Sequence, residues 1–228
     1  MTSLSRNSFV SSILLSTLLF TSVESPVRAD VDASPLLQQA MRFRVAVHTN
    51  RRSGRTIPVY HCRRAHEGCD QRLVEFAHYL IDAGERNGID PWLLAAMAFR
   101  ESGMNPFAIG GVGELGILQL HPKNPRAKTV RFVKDERYRM RCQKEAGACQ
   151  REVVDRAAEI LARSLELCDG DLNLALGAYN TGRCGGNKRY AIRILSERDA
   201  LRDAVGLGSV EKAAVSVREP RTAVSRRQ

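Results

Sequence analysis

The sequence predicts an all-α domain, with an irregular N-terminal segment ahead of it and a disordered basic tail behind it. Three observations carry the prediction. Leu73, Phe76, Ala77, Leu80 and Ala83 form one stripe at helical spacing, and Val154, Ala157, Ala158, Leu161, Leu165 and Cys168 form another. Between them, Asp90-Pro91 opens an apolar helix that Ser102-Gly103 and Pro106 close.

Met1 to Ala29 reads as a secretory signal peptide: an early Arg6, an apolar run from Phe9 to Phe20, and a small-residue exit at Val27-Arg28-Ala29. The run is too short for an ordinary spanning helix and is broken by Ser and Thr, and no second run is long enough to cross a bilayer. The mature chain would begin near Asp30 and has room for one domain. Residues 30–69 form an N-terminal extension, where MRFRVAVHTNRRSGRTIPVYHC gives two short alternations around a basic turn and leaves a small hairpin open. The catalytic-size unit spans 70–196. Its first helix starts at Asp70 and stops at Asn87-Gly88, and the second runs from Asp90 to Ser102. A basic stretch from Lys123 to Lys144 lacks apolar periodicity and reads as a surface wrap. The third long helix follows; Asp171 then caps a fourth from Leu172 to Asn180, ended by Gly182, and Lys188 to Leu195 reads as a fifth. Residues 197–228 read as the basic tail.

Export changes the meaning of the cysteines. Cys62, Cys69, Cys142, Cys149, Cys168 and Cys184 are even in number, and their spacing suggests three local disulfides, each cysteine with its nearest neighbour in this order. His61 and His66 beside the first pair match no standard zinc spacing. The formal charge is +10; residues 1–29 remove two arginines and one glutamate and leave +9. Such a charge suits anionic partners, among them the bacterial cell wall, an acidic membrane surface and nucleic acid. Aromatic residues make up only 6% of the chain, too few to interleave with the basic ones, and no binding motif is present, so a specific nucleic-acid role ranks last.

The chemistry centres on Glu101. Leu94, Met97, Ala98 and Glu101 fall at i, i+3, i+4 and i+7, so the carboxyl shares the inward face of its helix and sits in the last turn. Burial and the negative end of the helix dipole both disfavour its ionised form, which is what a general acid requires. Taken alone, a glutamate at a helix end is more commonly a solvated one. Downstream, GGVGELGILQLHP places glycines at 110, 111, 113 and 116, which allow the backbone to approach a ligand, and offers Gln119 as donor and acceptor; a plain chain reversal is the alternative. Ala178-Tyr179-Asn180-Thr181-Gly182 sets a phenol and an amide at the end of an apolar helix, where Tyr179 could equally be a packed aromatic.

In this order, Glu101-Ser102, Gly116-Ile117-Leu118-Gln119 and Ala178-Tyr179-Asn180-Thr181-Gly182 resemble the three sequence blocks of the soluble lytic transglycosylase family, over about residues 70 to 195. The resemblance implies a goose-type lysozyme-like helical fold, no metal or organic cofactor, and peptidoglycan glycan strands as substrate. Members of the family cleave between N-acetylmuramic acid and N-acetylglucosamine and leave a 1,6-anhydromuramoyl end. It further implies Glu101 as the single catalytic acid, with Gly116, Gln119, Tyr179 and Asn180 at the saccharide groove. The chain departs from the family before the second block, where Ile109-Gly110-Gly111-Val112-Gly113-Glu114 replaces the usual Ser and Gly-Ala, and where Gly-Ile-Leu-Gln replaces Gly-Leu-Met-Gln. Glu114 therefore opens an alternative, a muramidase with two carboxylates. A non-catalytic glycan-binding or assembly protein is the third reading. Location would be periplasmic or secreted, and small exported enzymes of this kind sometimes serve secretion or conjugation machines at the wall.

Overall fold

The computed structural model describes residues 33–46, 65, 68–142 and 146–208. Among these the chain is helical: α1 (Ala33–Ala46), α2 (Cys69–Asn87), α3 (Pro91–Ser102), α4 (Arg131–Lys134), α5 (Glu136–Arg141), α6 (Ala146–Leu167), α7 (Leu172–Thr181) and α8 (Lys188–Asp203). A 3-10 turn at Ala127–Thr129 and two isolated bridges, Ile109 with Leu115 and Leu115 with Leu120, complete it.

α3 is the central helix. Trp92 to Ala98 are all buried, so it has no polar face and must be enclosed on every side. α8 and α2 pack against it, α6 backs α2, α7 lies against both α6 and α8, and α1 rests on α2 and α8. The expected stripes face this core: Leu73, Phe76, Ala77, Leu80 and Ala83 are buried on α2, and Val154, Ala157, Ala158 and Leu161 on α6. Leu94 and Met97 are wholly buried. Truncating either to Ala would cost roughly 2–5 kcal/mol.

The ends of α3 fix where Glu101 stands. Asp90 Oδ1 accepts from the Trp92 amide at 2.9 Å, with Pro91 in the first turn. At the other end Gly103 adopts φ 64°. Its N–H donates to Phe99 O at 3.0 Å, and that of Met104 donates to Ala98 O at 3.2 Å, so both amides satisfy carbonyls of the last turns. Asp171 caps α7 through the Leu174 amide at 3.0 Å, and Gly182, at φ 77°, ends it.

Three local expectations change. The hairpin gives way, over residues 41–46, to the end of α1: Leu37, Ala40 and Met41 stand at i, i+3 and i+4 and are wholly buried, so the 3.6-residue period wins over the alternation. Arg44 of α1 forms a two-point ion pair with the buried Glu197 of α8, one contact at 3.2 Å, and lies 5.9 Å from the Phe99 ring centroid on α3. α8 continues past Leu195 to Asp203 because Leu201 is buried. The stretch after Lys123 is no plain wrap, since Phe132 and Val133 of α4 reach the core. The signal segment 1–29, His61, Cys62, His66 and the tail beyond residue 208 lie outside the described residues.

Two of the three expected disulfides are formed, Cys142–Cys149 and Cys168–Cys184. Cys69 is also disulfide-bonded, while its expected partner Cys62 is not among the described residues. No helix among the described residues is long and apolar enough to cross a membrane.

Candidate active site

The turn Gly116-Ile117-Leu118-Gln119 is held by side chains from three helices. Ser102 Oγ, at the end of α3, donates to Ile117 O at 2.9 Å. Gln150 on α6 is wholly buried, and its Oε1 accepts the Ile117 N–H at 3.0 Å. Tyr179 on α7 donates its hydroxyl to Leu118 O at 2.9 Å. Gln119 itself, at φ 47°, turns Nε2 back onto Gly116 O at 2.8 Å and Ala108 O at 3.3 Å. Side chains thus satisfy backbone groups that so tight a turn would leave unpaired, and the turn is fixed against the three helices. Gly116 is required for this: at φ 79°, a Cβ would lie 2.7 Å from Gln150 Oε1.

One pocket opens over the turn. Glu101, Glu114, Gln119, Tyr179 and Asn180 line it, with Leu120, His121, Asn124 and Ile160. Five of the residues singled out in the sequence thus meet at one place. The sixth, Gly116, lies beneath them, turned toward Gln150 and away from the pocket.

Glu101 Oε1 accepts the Tyr190 hydroxyl at 2.5 Å. Burial pushes the Glu101 carboxyl above its ordinary range; the Tyr190 hydrogen bond opposes that shift and the nearby Glu114 charge adds to it. The upward direction expected from the sequence therefore holds, with desolvation as the leading cause. Tyr179 and Tyr190 are both held well above the usual phenol range by burial first and by Glu101 second, so both stay protonated donors. Glu114 sits on the loop, where its Oε2 accepts the Val112 N–H at 3.2 Å. The loop fits that carboxyl closely: a Cβ on Gly110 would fall 2.2 Å from Glu114 Oε2.

Tyr190 escaped sequence reasoning because nothing local marks it: 89 positions separate it from its partner. Asn187, immediately before α8, carried a readable signal as a helix cap, and it donates to Asn180 Oδ1 at 2.8 Å. His121 and Asn124 had no spacing cue. Among the described residues no group of three or more His, Cys, Asp or Glu is placed to hold a metal ion.

Chemically, the pocket offers a desolvated acid with one hydrogen-bonding phenol, a second carboxylate at the rim, and amides on the wall. No solved structure gives a significant match to the chain. The family model of the transglycosylase SLT domain matches residues 78–199, more than half of the chain, and includes every residue that lines the pocket. A helical domain with a half-buried acid in one pocket with Gln119 of a Gly-Ile-Leu-Gln turn and this match agree: the chain belongs to the transglycosylase SLT domain family, with the lytic transglycosylase-type, peptidoglycan-related function of that family.

Proposed function

We propose that the protein is a peptidoglycan lytic transglycosylase that cleaves the MurNAc-GlcNAc bond and leaves 1,6-anhydromuramoyl ends. Glu101 is its general acid and base. The observation that carries this reading is the setting of Glu101, a carboxyl raised by burial and held by the Tyr190 phenol in a pocket with amides on its wall. Protonated Glu101 gives its proton to the glycosidic oxygen as the bond to the muramoyl C1 breaks, and the substrate's N-acetyl carbonyl attacks C1 from the other face. Glu101, now a carboxylate, then takes the proton of the sugar's own C6 hydroxyl, whose oxygen closes on C1 and releases the acetamido group. Acid and base are one residue because the C6 hydroxyl proton replaces the one left on the departing oxygen, so Glu101 ends the cycle protonated as it began it. Holding the nucleophile in the substrate makes the second step intramolecular and needs no positioned water.

Wall residues have divided parts. The Tyr179 hydroxyl hydrogen is committed to Leu118 O, so toward the sugar it offers a lone pair and fixes the turn. Gln119 commits its amide N–H groups inward and presents Oε1 as an acceptor. Asn180 presents its N–H₂ group, since its carbonyl oxygen is taken by Asn187. The catalytic unit in this reading is 70–196 with the rest of α8 to Asp203, braced by α1, with 1–29 as the export signal, 30–69 as the extension and the residues after α8 as the tail. The disulfides agree with an extracytoplasmic setting.

A second reading has one observation in its favour: Glu114 lines the same pocket as Glu101. If Glu114 activates water, the protein is a muramidase. Mass spectrometry of muropeptides released from purified peptidoglycan, wild type beside Glu101→Gln, decides. Anhydromuropeptides that vanish in the variant support the transglycosylase; reducing ends support the muramidase; Glu101-independent release refutes both.

A further inference from the structure

The polarity of one groove residue is set from outside the groove. Asn187 caps α8, and its Oδ1 accepts the Tyr190 amide N–H at 3.0 Å. That bond leaves Nδ2 as the free end of the Asn187 amide, and Nδ2 donates to Asn180 Oδ1 at 2.8 Å. A backbone amide of α8 thus decides which end of Asn180 faces the pocket: its carbonyl is engaged and its two N–H groups remain.

Asn187 reaches this position through the packing of the loop before α8. Gly177 on α7 stands so close to that loop that a Cβ would lie 2.9 Å from Gly186 N and 3.2 Å from Asn187 N. The Gly185 N–H donates to Leu174 O at 3.1 Å, and the Cys168–Cys184 bridge ties the loop to the end of α6. Gly177 and Asn180 are one turn apart on α7, so the anchor and the side chain it serves share a face. Two more pocket residues are polarised by neighbouring backbone in the same sense. Asn124 Oδ1 accepts from the Arg126 amide at 2.9 Å, and His121 Nδ1 accepts from the Lys123 amide at 3.0 Å. Their remaining groups, Nδ2 and Nε2–H, are donors.

We propose that Asn187 is a positioning residue that fixes Asn180 as a hydrogen-bond donor, so that this wall of the groove recognises an acceptor group, the carbonyl or carboxylate oxygen of an acylated sugar. The inference rests on the glycan substrate proposed above and adds what orients its contact. It also separates two parts that one side chain plays: any good cap would start α8, but only an amide both caps α8 and donates to Asn180.

The test is affinity for an N-acetylated peptidoglycan glycan fragment of fixed length, measured by calorimetry on the full chain carrying Glu101→Gln, so that binding is read without turnover. Asn187→Asp and Asn187→Ser both keep a cap acceptor. Ser is too short to reach Asn180, and Asp accepts where Asn donated, turning the Asn180 carbonyl to the groove. The expected result is an unchanged thermal midpoint for both, an affinity loss of about tenfold for Asp and a smaller one for Ser. Adding Asn187→Asp to Asn180→Ala is expected to cost nothing further. Wild-type affinity in both Asn187 variants would overturn the proposal. So would a loss that persists without the Asn180 side chain, or one that only tracks a fall in thermal midpoint. Cleavage of wall strands by the wild-type chain reports separately on the function: a chain that binds but does not cut sinks the enzyme reading and leaves this coupling measured.

Discussion

Glu101 and Glu114 line one pocket from opposite settings. The first closes the last turn of a helix buried on all sides, with a phenol as its partner; the second rides a glycine-rich loop and leans on a backbone N–H. Desolvation dominates at Glu101 and raises it, while Glu114 acts on it as a fixed neighbouring charge. The difference bears on the roles proposed for them: the helix-end carboxyl is raised by desolvation, and the loop carboxyl is a neighbour that adds to that shift. Each experiment below attacks that division, and they run from the largest expected effect to the smallest.

Glu101→Gln should lower the rate of muropeptide release by about 10²–10⁴-fold, the span of a lost general acid. It should also change stability with a definite sign. The folded-state pKa of Glu101 lies above its ordinary value of 4.5, so the contribution of this group is fully favourable below that pH and is lost as pH rises through the folded value. The variant should therefore melt with wild type near pH 4 and above it near pH 7, as thermal scans at the two pH values would register. Tyr190→Phe should cost about tenfold in rate. The phenol stabilises the carboxylate, so its loss raises the Glu101 pKa further and moves the alkaline limb of the pH–rate profile upward. Glu114→Gln should cost less than tenfold if the loop acid is only a charge. It removes a like charge, so the same limb moves downward. Opposite displacements in these two profiles would sharpen the comparison; a collapse of activity in Glu114→Gln would break it in favour of the muramidase.

The smallest effect on chemistry is expected from Cys168→Ser with Cys184→Ser. This bridge closes 16 positions and contributes at most about 3 kcal/mol of stability. Chemical denaturation should show that loss while release at low temperature stays within a few-fold of wild type, since neither cysteine lines the pocket.

What was legible in the sequence follows a physical rule. Asp90-Pro91, Gly103 and the stripe before Glu101 are local signals, and the structure keeps each where the sequence put it. Five of the six proposed site residues meet at one pocket because the blocks that carry them end helices or turns with strong backbone preferences. Tyr190 was beyond reach, because its partner lies far along the chain and a tyrosine within a helix looks the same whether it packs or donates. α1 failed differently: residues 41–46 fit both a two-residue and a 3.6-residue period, and only burial of Leu37, Ala40 and Met41 distinguishes them. Gly116 was expected at the groove by its motif; it does not line the pocket, and a Cβ there would crowd Gln150 Oε1, which accepts the Ile117 N–H.

The central claim, that the helix-end carboxyl is the acid, is tested most directly by carbon-detected NMR titration of the glutamate side chains in wild type, Glu101→Gln and Glu114→Gln. The account expects the highest-titrating glutamate to be absent from Glu101→Gln and to titrate lower in Glu114→Gln. If that resonance survives in Glu101→Gln and disappears in Glu114→Gln, the loop carboxyl is the acid and the assignment is reversed.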